Sequence, residues 1–204
     1  FIGGRHVKQF EENFSKYQQV RYCVGVGNGT DALEIAIEAL NLPQGSEIIV
    51  PANSFIASAE AVTRAGFNIV FCDANSDDYT IDIKDIKNRI TQNTSAIIAV
   101  HLYGHPCDMG PLLEISSTYN LKIIEDCAHC AGGIYKNKYL GTWGDVGCFS
   151  FYAGKNLGAF GDAGALVTND PEVAEKTRMM RDHYSSERYI HEGSLSWNSR
   201  LDVL

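Results

Sequence analysis

Lys155 is the only basic residue in the stretch Ser150-Phe151-Tyr152-Ala153-Gly154-Lys155-Asn156-Leu157-Gly158-Ala159-Phe160-Gly161-Asp162-Ala163-Gly164. The glycines around it allow positive φ and close approach of backbone to a ligand. Ser150, upstream in the same stretch, adds a hydroxyl donor. A lysine becomes a nucleophile when partial burial or cationic neighbours lower its pKa, and such lysines form imines with the aldehyde of pyridoxal phosphate. Ser150 and Lys155 together can hold the two ends of that molecule, its phosphate and its aldehyde carbon. A surface loop with a solvated lysine is the competing reading of the same residues.

Three other places offer complementary groups. Asp126 closes an apolar, strand-like run, so its carboxylate must be paired or neutralised. A pyridinium nitrogen would be such a partner and would be kept protonated by it; a helix cap is the alternative. His129 follows three residues on and can face the same ligand. The turn Gly25-Val26-Gly27-Asn28-Gly29-Thr30-Asp31 runs from a strand into a helix. Helix N-termini carry free N–H groups and attract anions, and Thr30 and Asp31 are capping candidates. The turn lacks the Gly-Lys-Ser/Thr of a triphosphate loop. It also lacks the acid that a dinucleotide site needs after the next strand, where Ile48-Ile49-Val50 runs into Pro51. Phe55 lies just past that strand's carboxyl end, where open α/β sheets place ligands. A ring stacked on a flat cofactor and a plain core aromatic are both open readings of it.

These groups are far apart in sequence, so a scaffold must gather them. Val7, Phe10, Phe14 and Tyr17 predict an amphipathic helix over residues 1–17. Strands are predicted at Arg21 to Val26, Glu47 to Val50, Phe67 to Cys72, Ala96 to His101, Lys122 to Glu125, Val146 to Phe151 and Gly164 to Thr168. Helical patterns cover Ala32 to Leu40, Ile56 to Ala65, Ile83 to Ile90, Leu112 to Asn120, and Pro171 to about Arg181. This alternation predicts an α/β fold with a mostly parallel sheet and helices on both faces. Residues 183–197, polar and aromatic without period, read as an extended or mobile loop.

The 204 residues carry 17 Lys and Arg against 25 Asp and Glu, a formal charge of −8, which argues against a nucleic-acid surface. No apolar run reaches the roughly 20 residues of a membrane span, and no signal-peptide layout opens the chain, so a cytoplasmic protein without membrane contact is expected. Cys23, Cys72, Cys107, Cys127, Cys130 and Cys148 sit mostly in apolar runs, as reduced buried thiols do. Cys127-Ala128-His129-Cys130 has the form of a redox or zinc half-site, but no second ligand pair at suitable spacing is evident, so structural thiols and no metal are expected.

In order along the chain, these pieces resemble the family of pyridoxal-phosphate-dependent nucleotide-sugar aminotransferases, within the aspartate-aminotransferase-like fold. The resemblance rests on GNGTDAL at 27–33, PANSFIAS at 51–58, VHLYGHPCDM at 100–109, EDCAH at 125–129, SFYAGKNLGAFGDAG at 150–164 and NSRLD at 198–202. It implies a three-layer sandwich in which residues 1–204 form the cofactor-binding large domain, with part of the N-terminus and a C-terminal small domain expected outside the chain. By the same resemblance Lys155 forms the Schiff base with pyridoxal 5'-phosphate and Asp126 pairs with the ring nitrogen. Gly29, Thr30 and Asp31, with the Ser150 hydroxyl, hold the phosphate. Phe55 stacks on the ring, and His129 stands near the phenolic oxygen.

Asn198 matches a residue that reaches the phosphate from a partner subunit, which implies a homodimer with a shared active site. The implied reaction is ping-pong: glutamate gives its amino group to the cofactor, which passes it to a keto sugar on a nucleoside diphosphate, with Lys155 moving the proton. Such reactions serve the synthesis of lipopolysaccharide O-antigen and other cell-surface sugars. A lysine at 155 separates the chain from the family's dehydratases, which carry histidine there. Ala153 and Ala163 depart from the family's usual proline and glycine, and Ser196-Trp197 from a glycine and a smaller aromatic. A truncated, catalytically silent scaffold is the alternative. A dinucleotide-dependent oxidoreductase would leave Lys155 and Asp126 without a role.

Overall fold

A computed structural model describes residues 3–187, 190–191, 193 and 196–202. In chain order the elements are α1 (Arg5–Gln18), β1 (Tyr22–Val26), α2 (Gly29–Ala39), β2 (Glu47–Pro51), α3 (Ile56–Arg64), β3 (Asn68–Cys72), α4 (Ile83–Arg89) and β4 (Thr94–Val100). A 3-10 turn at Leu102–Gly104 leads to α5 (Met109–Tyr119), β5 (Lys122–Asp126), β6 (Ile134–Tyr135), β7 (Lys138–Tyr139), β8 (Val146–Ser150), β9 (Gly164–Thr168), α6 (Pro171–Met180), β10 (Ser185–Glu187) and β11 (Ile190–His191).

Seven strands form one sheet in the order β1-β9-β8-β5-β4-β2-β3. All neighbouring pairs are parallel except the two made by β9, which runs against β1 and β8. The carboxyl ends of the other six strands therefore open on one edge, where ligands of α/β sheets bind.

Strand residues alternate between two cores, as the two-residue period of a strand requires. Val26, Ile48, Val50, Ile98, Ile124, Cys148 and Leu166 point to one face, where residues of α2, α3 and α6 join them. Ile49, Ile97, Ala99 and Ile123 point to the other, under α4 and α5. On that second face α1 covers the β1-β9-β8 end through an aromatic group. Phe14 meets Phe149 edge-on at 5.1 Å and Phe151 at 5.4 Å, and Phe10 stacks on Phe14 at 5.5 Å. Each such pair adds about 0.5–1.5 kcal/mol beyond area burial. The result is the three-layer α/β sandwich with helices on both faces.

Two local expectations change. Residues 183–197 are not simply an extended loop: among the described residues β10 and β11 pair antiparallel, with Ser185 opposite His191. The β6–β7 hairpin was unannounced, because Lys136 and Asn137 turn it with φ of 43° and 64° without the glycine that usually marks such a turn.

Candidate active site

The carboxyl edge of the sheet surrounds a cavity of about 870 Å³. Its lining comes from segments following five strands: Gly29 to Asp31 after β1, Asn53 to Phe55 after β2, His101 to Tyr103 after β4, Asp126 to His129 at the end of β5, and Ser150 to Lys155 at the end of β8. Gly29, Thr30, Asp31, Phe55, Asp126, His129, Ser150 and Lys155 all line it. Asn198 does not; it is exposed, bridges Asp182 in a β pairing, and its Oδ1 accepts from the Arg200 guanidinium.

The anion end is built by α2. Its cap is Asn28, not Thr30 or Asp31: Asn28 Oδ1 accepts from Asp31 N–H at 2.8 Å. With Asp31 N–H so engaged, the N–H groups of Gly29 and Thr30 are the ones left without an acceptor among the described residues. The Asp31 carboxylate accepts from Ser199 Oγ at 2.5 Å, and Ser199 Oγ also receives Gly27 N–H at 2.9 Å, so the 198–202 segment clamps this turn. Gly29 packs hard on Ser150, since a Cβ at 29 would lie 2.6 Å from Ser150 Cβ. The absent side chain is what brings the helix N-terminus and the Ser150 hydroxyl to one place.

In the same cavity Asp126 is only 6% exposed. Its Oδ2 accepts from Ser58 Oγ at 2.8 Å and its Oδ1 from Ala128 N–H at 3.1 Å. These bonds hold a buried carboxylate aimed into the cavity, where a cationic ring nitrogen would complete its pairing. Phe55 is 71% exposed, which removes the core-aromatic reading. Lys155 is half-buried, its N–H bonded to Tyr152 O at 2.8 Å, and its amine has no ion-pair or hydrogen-bond partner among the described residues. Asn156 Nδ2 donates to Ala131 O at 2.7 Å, tying the lysine loop to the Asp126–His129 loop. Burial lowers the pKa of His129, the Lys155 charge lowers it further, and Asp126 opposes both.

The lining also includes Tyr103, Tyr152, Arg64 and Asp162, and Ser58 is bonded to Asp126 beside it; residue type and spacing point to none of these. Tyr103 and Tyr152 stood inside motifs already quoted, but an aromatic beside a motif residue carries no periodic signal. Arg64 pairs with the buried Glu34 at 3.0 Å, a contact between two helices that no local pattern announces.

His101 adds a third ligand to the Cys127–Cys130 half-site, with ligand atoms within 4.8 Å of one another. Both its ring nitrogens are engaged, however. Nδ1 accepts from Cys107 N–H at 3.1 Å, so the hydrogen is on Nε2 and is donated to Glu125 at 3.0 Å. Burial, with the neighbouring Cys130 thiol, pushes the Cys127 thiol well up, so it keeps its proton. All six cysteines are buried and unpaired, as structural thiols are.

The geometry can therefore do three things in one cavity: hold an anion at the α2 N-terminus, hold a cation at Asp126, and present the uncommitted amine of Lys155. The model of the DegT/DnrJ/EryC1/StrS aminotransferase family matches residues 1–204. The chain is 46% identical over 206 residues to a dTDP-3-amino-3,6-dideoxy-alpha-D-galactopyranose transaminase of Aneurinibacillus thermoaerophilus, covering 100% of this chain and 56% of that protein. The crystal structure of DesV from S. venezuelae in complex with a ketimine intermediate superposes with a TM-score of 0.95 at 42% identity, covering 99% of this chain and 54% of that one. NtdA from Bacillus subtilis, solved with bound cofactor PMP, gives 0.93 at 36% identity, covering 100% and 46%. The chain thus spans about half the length of the relatives it matches.

Proposed function

The chain belongs to the DegT/DnrJ/EryC1/StrS aminotransferase family, and from that membership we propose that it is the cofactor-binding domain of a pyridoxal-phosphate enzyme that aminates a keto sugar carried on a nucleoside diphosphate. The observation that carries this reading is the free Lys155 amine in one cavity with the buried Asp126 carboxylate and the α2 N-terminus beside Ser150. The residues present fit the cofactor at each end. Gly29 and Thr30 N–H groups with the Ser150 hydroxyl suit its phosphate, Asp126 its ring nitrogen, and exposed Phe55 the face of its ring.

Once bound, the cofactor supplies an aldehyde carbon and a ring that accepts an electron pair. The protein's own groups do the rest. Lys155 would hold that aldehyde carbon, and its amine, when free, would be the group placed to take up and return a proton. Asp126 keeps positive charge on the ring nitrogen. His129, whose Nδ1 accepts from Tyr103 N–H so that its hydrogen is on Nε2, would offer that hydrogen to the ring's oxygen. Glutamate is the proposed amino donor.

A homodimer with a shared site is part of the proposal. Among the described residues four carboxylates, Asp31, Glu60, Asp126 and Asp162, line the cavity against the cations Lys155 and Arg64, and Arg64 is already paired with Glu34. A diphosphate needs more cations than these residues offer, so they arrive from a second subunit or from the rest of the longer protein, and in the proposal Asn198 serves the partner's site. No helix among the described residues is long and apolar enough to cross a membrane.

The test is spectroscopic. Added pyridoxal phosphate should give the protein a visible absorption band that Lys155→Ala lacks; a spectrum unchanged by the cofactor sinks the reading. Amination of a keto sugar nucleotide with glutamate by the longer protein then separates an enzyme from a silent scaffold, which would bind cofactor without turnover.

A further inference from the structure

Behind the Asp126 carboxylate stands a pair of hydroxyls. Ser58 is 1% exposed in the first turn of α3, and its Oγ donates to Asp126 Oδ2 at 2.8 Å. Ser54 Oγ lies 2.7 Å from Ser58 Oγ. Ser58 has one hydrogen and has given it to the carboxylate, so Ser54 must be the donor in the second bond. The chain is therefore directional, Ser54 to Ser58 to Asp126, and it runs from the cavity wall, which Ser54 lines, to the rear of the carboxylate. Helical serines commonly bond back to the carbonyl four residues earlier. Here Ser58 gives its hydrogen to Asp126, and its bond to residue 54 is with the side chain.

We propose that Ser58, polarised by Ser54, is a positioning residue that sets the orientation and basicity of Asp126, and so the charge available at the nitrogen of an aromatic cationic ligand. The inference rests on the pyridoxal-phosphate reading of the cavity. A hydrogen bond to the charged form of a carboxylate lowers its basicity. A donor that itself receives a hydrogen bond is a stronger donor. The two hydroxyls therefore leave the shared proton on the ring nitrogen instead of drawing it to Asp126. Ser58 on Oδ2 and Ala128 N–H on Oδ1 also fix the carboxylate plane, one bond to each oxygen.

Removing Ser58 makes Asp126 more basic and neutralises the ring charge more fully. Positive charge on the ring disfavours a second proton at the Lys155 nitrogen, so that nitrogen should become more basic in the variant. In the protein loaded with pyridoxal phosphate, the pH midpoint of the lysine-bound absorption band should rise by about 0.5–1 unit in Ser58→Ala. The cofactor Kd, measured by equilibrium dialysis, should rise about 3–10-fold. Ser58→Thr, which keeps the hydroxyl, should restore the midpoint. Ser54→Ala, at a partly exposed position that does not threaten folding, should shift it the same way by less. If Ser58→Ala proves unfolded, Ser54→Ala decides. A lowered thermal midpoint with an unmoved band midpoint would mean that the serines only pack, and it overturns the proposal. Absence of any lysine-dependent band in the unmodified protein is a different outcome, in which the cofactor reading itself fails and this inference with it.

Discussion

The ring of Tyr103 stacks on that of His129, 5.7 Å between centroids and 5° between planes, while Tyr103 N–H donates to His129 Nδ1 at 3.1 Å. One residue thus fixes both the orientation of the imidazole and its tautomer. Tyr103 accepts left-handed backbone angles, φ 52° and ψ 23°, to do so.

His129 should titrate below 6.5, because burial and then the Lys155 charge disfavour its protonated form. Between the lowered native value and 6.5 the unfolded chain binds more protons than the folded one. Stability therefore contains a contribution present above pH 6.5 that is lost as pH falls through the native value. The Cε1 resonance of His129 reports the midpoint, and His129→Gln should flatten that limb of the stability curve. A midpoint at or above 6.5 contradicts the assignment.

Gly29→Ala places a methyl 2.6 Å from Ser150 Cβ and 3.1 Å from Ser150 Cα. Overpacking of this kind costs about 1–3 kcal/mol. The helix N-terminus must also retreat from the Ser150 hydroxyl, so affinity for pyridoxal phosphate should fall by about 10-fold or more. Urea unfolding and a cofactor titration measure the two effects separately.

Asn28→Ala removes the cap of α2 and should cost about 1 kcal/mol, read from the urea midpoint, with Asn28→Ser recovering most of it.

The sheet and the five strand ends were legible because buried parallel strands are written as short apolar runs, and the helices between them as three-to-four patterns. Lys155, Asp126 and the Gly29 turn were legible because a lysine among glycines, an acid after an apolar run and a glycine turn are each anomalous locally. The capping residue was misread, since Asn28, Thr30 and Asp31 are all competent and only the bond to Asp31 N–H distinguishes them. Ser58 was invisible: a serine in a helix looks neutral until the strand 68 positions away brings Asp126 onto it. His101 was hidden for the same reason, its partner Glu125 being 24 positions distant.

Glu125 is fully buried and accepts from His101 Nε2 at 3.0 Å and from the N–H groups of Gly141, Trp143 and Gly144 at 2.7 Å each. Glu125→Ala should destabilise by about 3–5 kcal/mol, because four donors, two of them fully buried and two partly, lose their acceptor together. A loss below about 1 kcal/mol in urea unfolding would show that water replaces the carboxylate.

If Asn198 serves the partner's site, Lys155→Ala and Asn198→Ala subunits of the longer protein, each impaired alone, should regain part of the cofactor band when unfolded and refolded as a mixture. Mixed dimers then contain one site with both residues intact. No recovery would place Asn198 outside the shared site.

The antiparallel β9 sets the time at which the anion site can exist. Among the strands of the sheet β1 borders only β9, with Val26 also bridging Arg200, and Arg21 N–H finds its acceptor, Asn169 Oδ1, 148 positions later. At the roughly 5–20 residues per second of protein synthesis, the glycine turn that follows β1 waits about 7–30 s for the strand that anchors it. During that wait β1 has no strand partner, and the clamp that Ser199 puts on the same turn arrives later still, so the turn takes its final form only after nearly all of the described residues have been made.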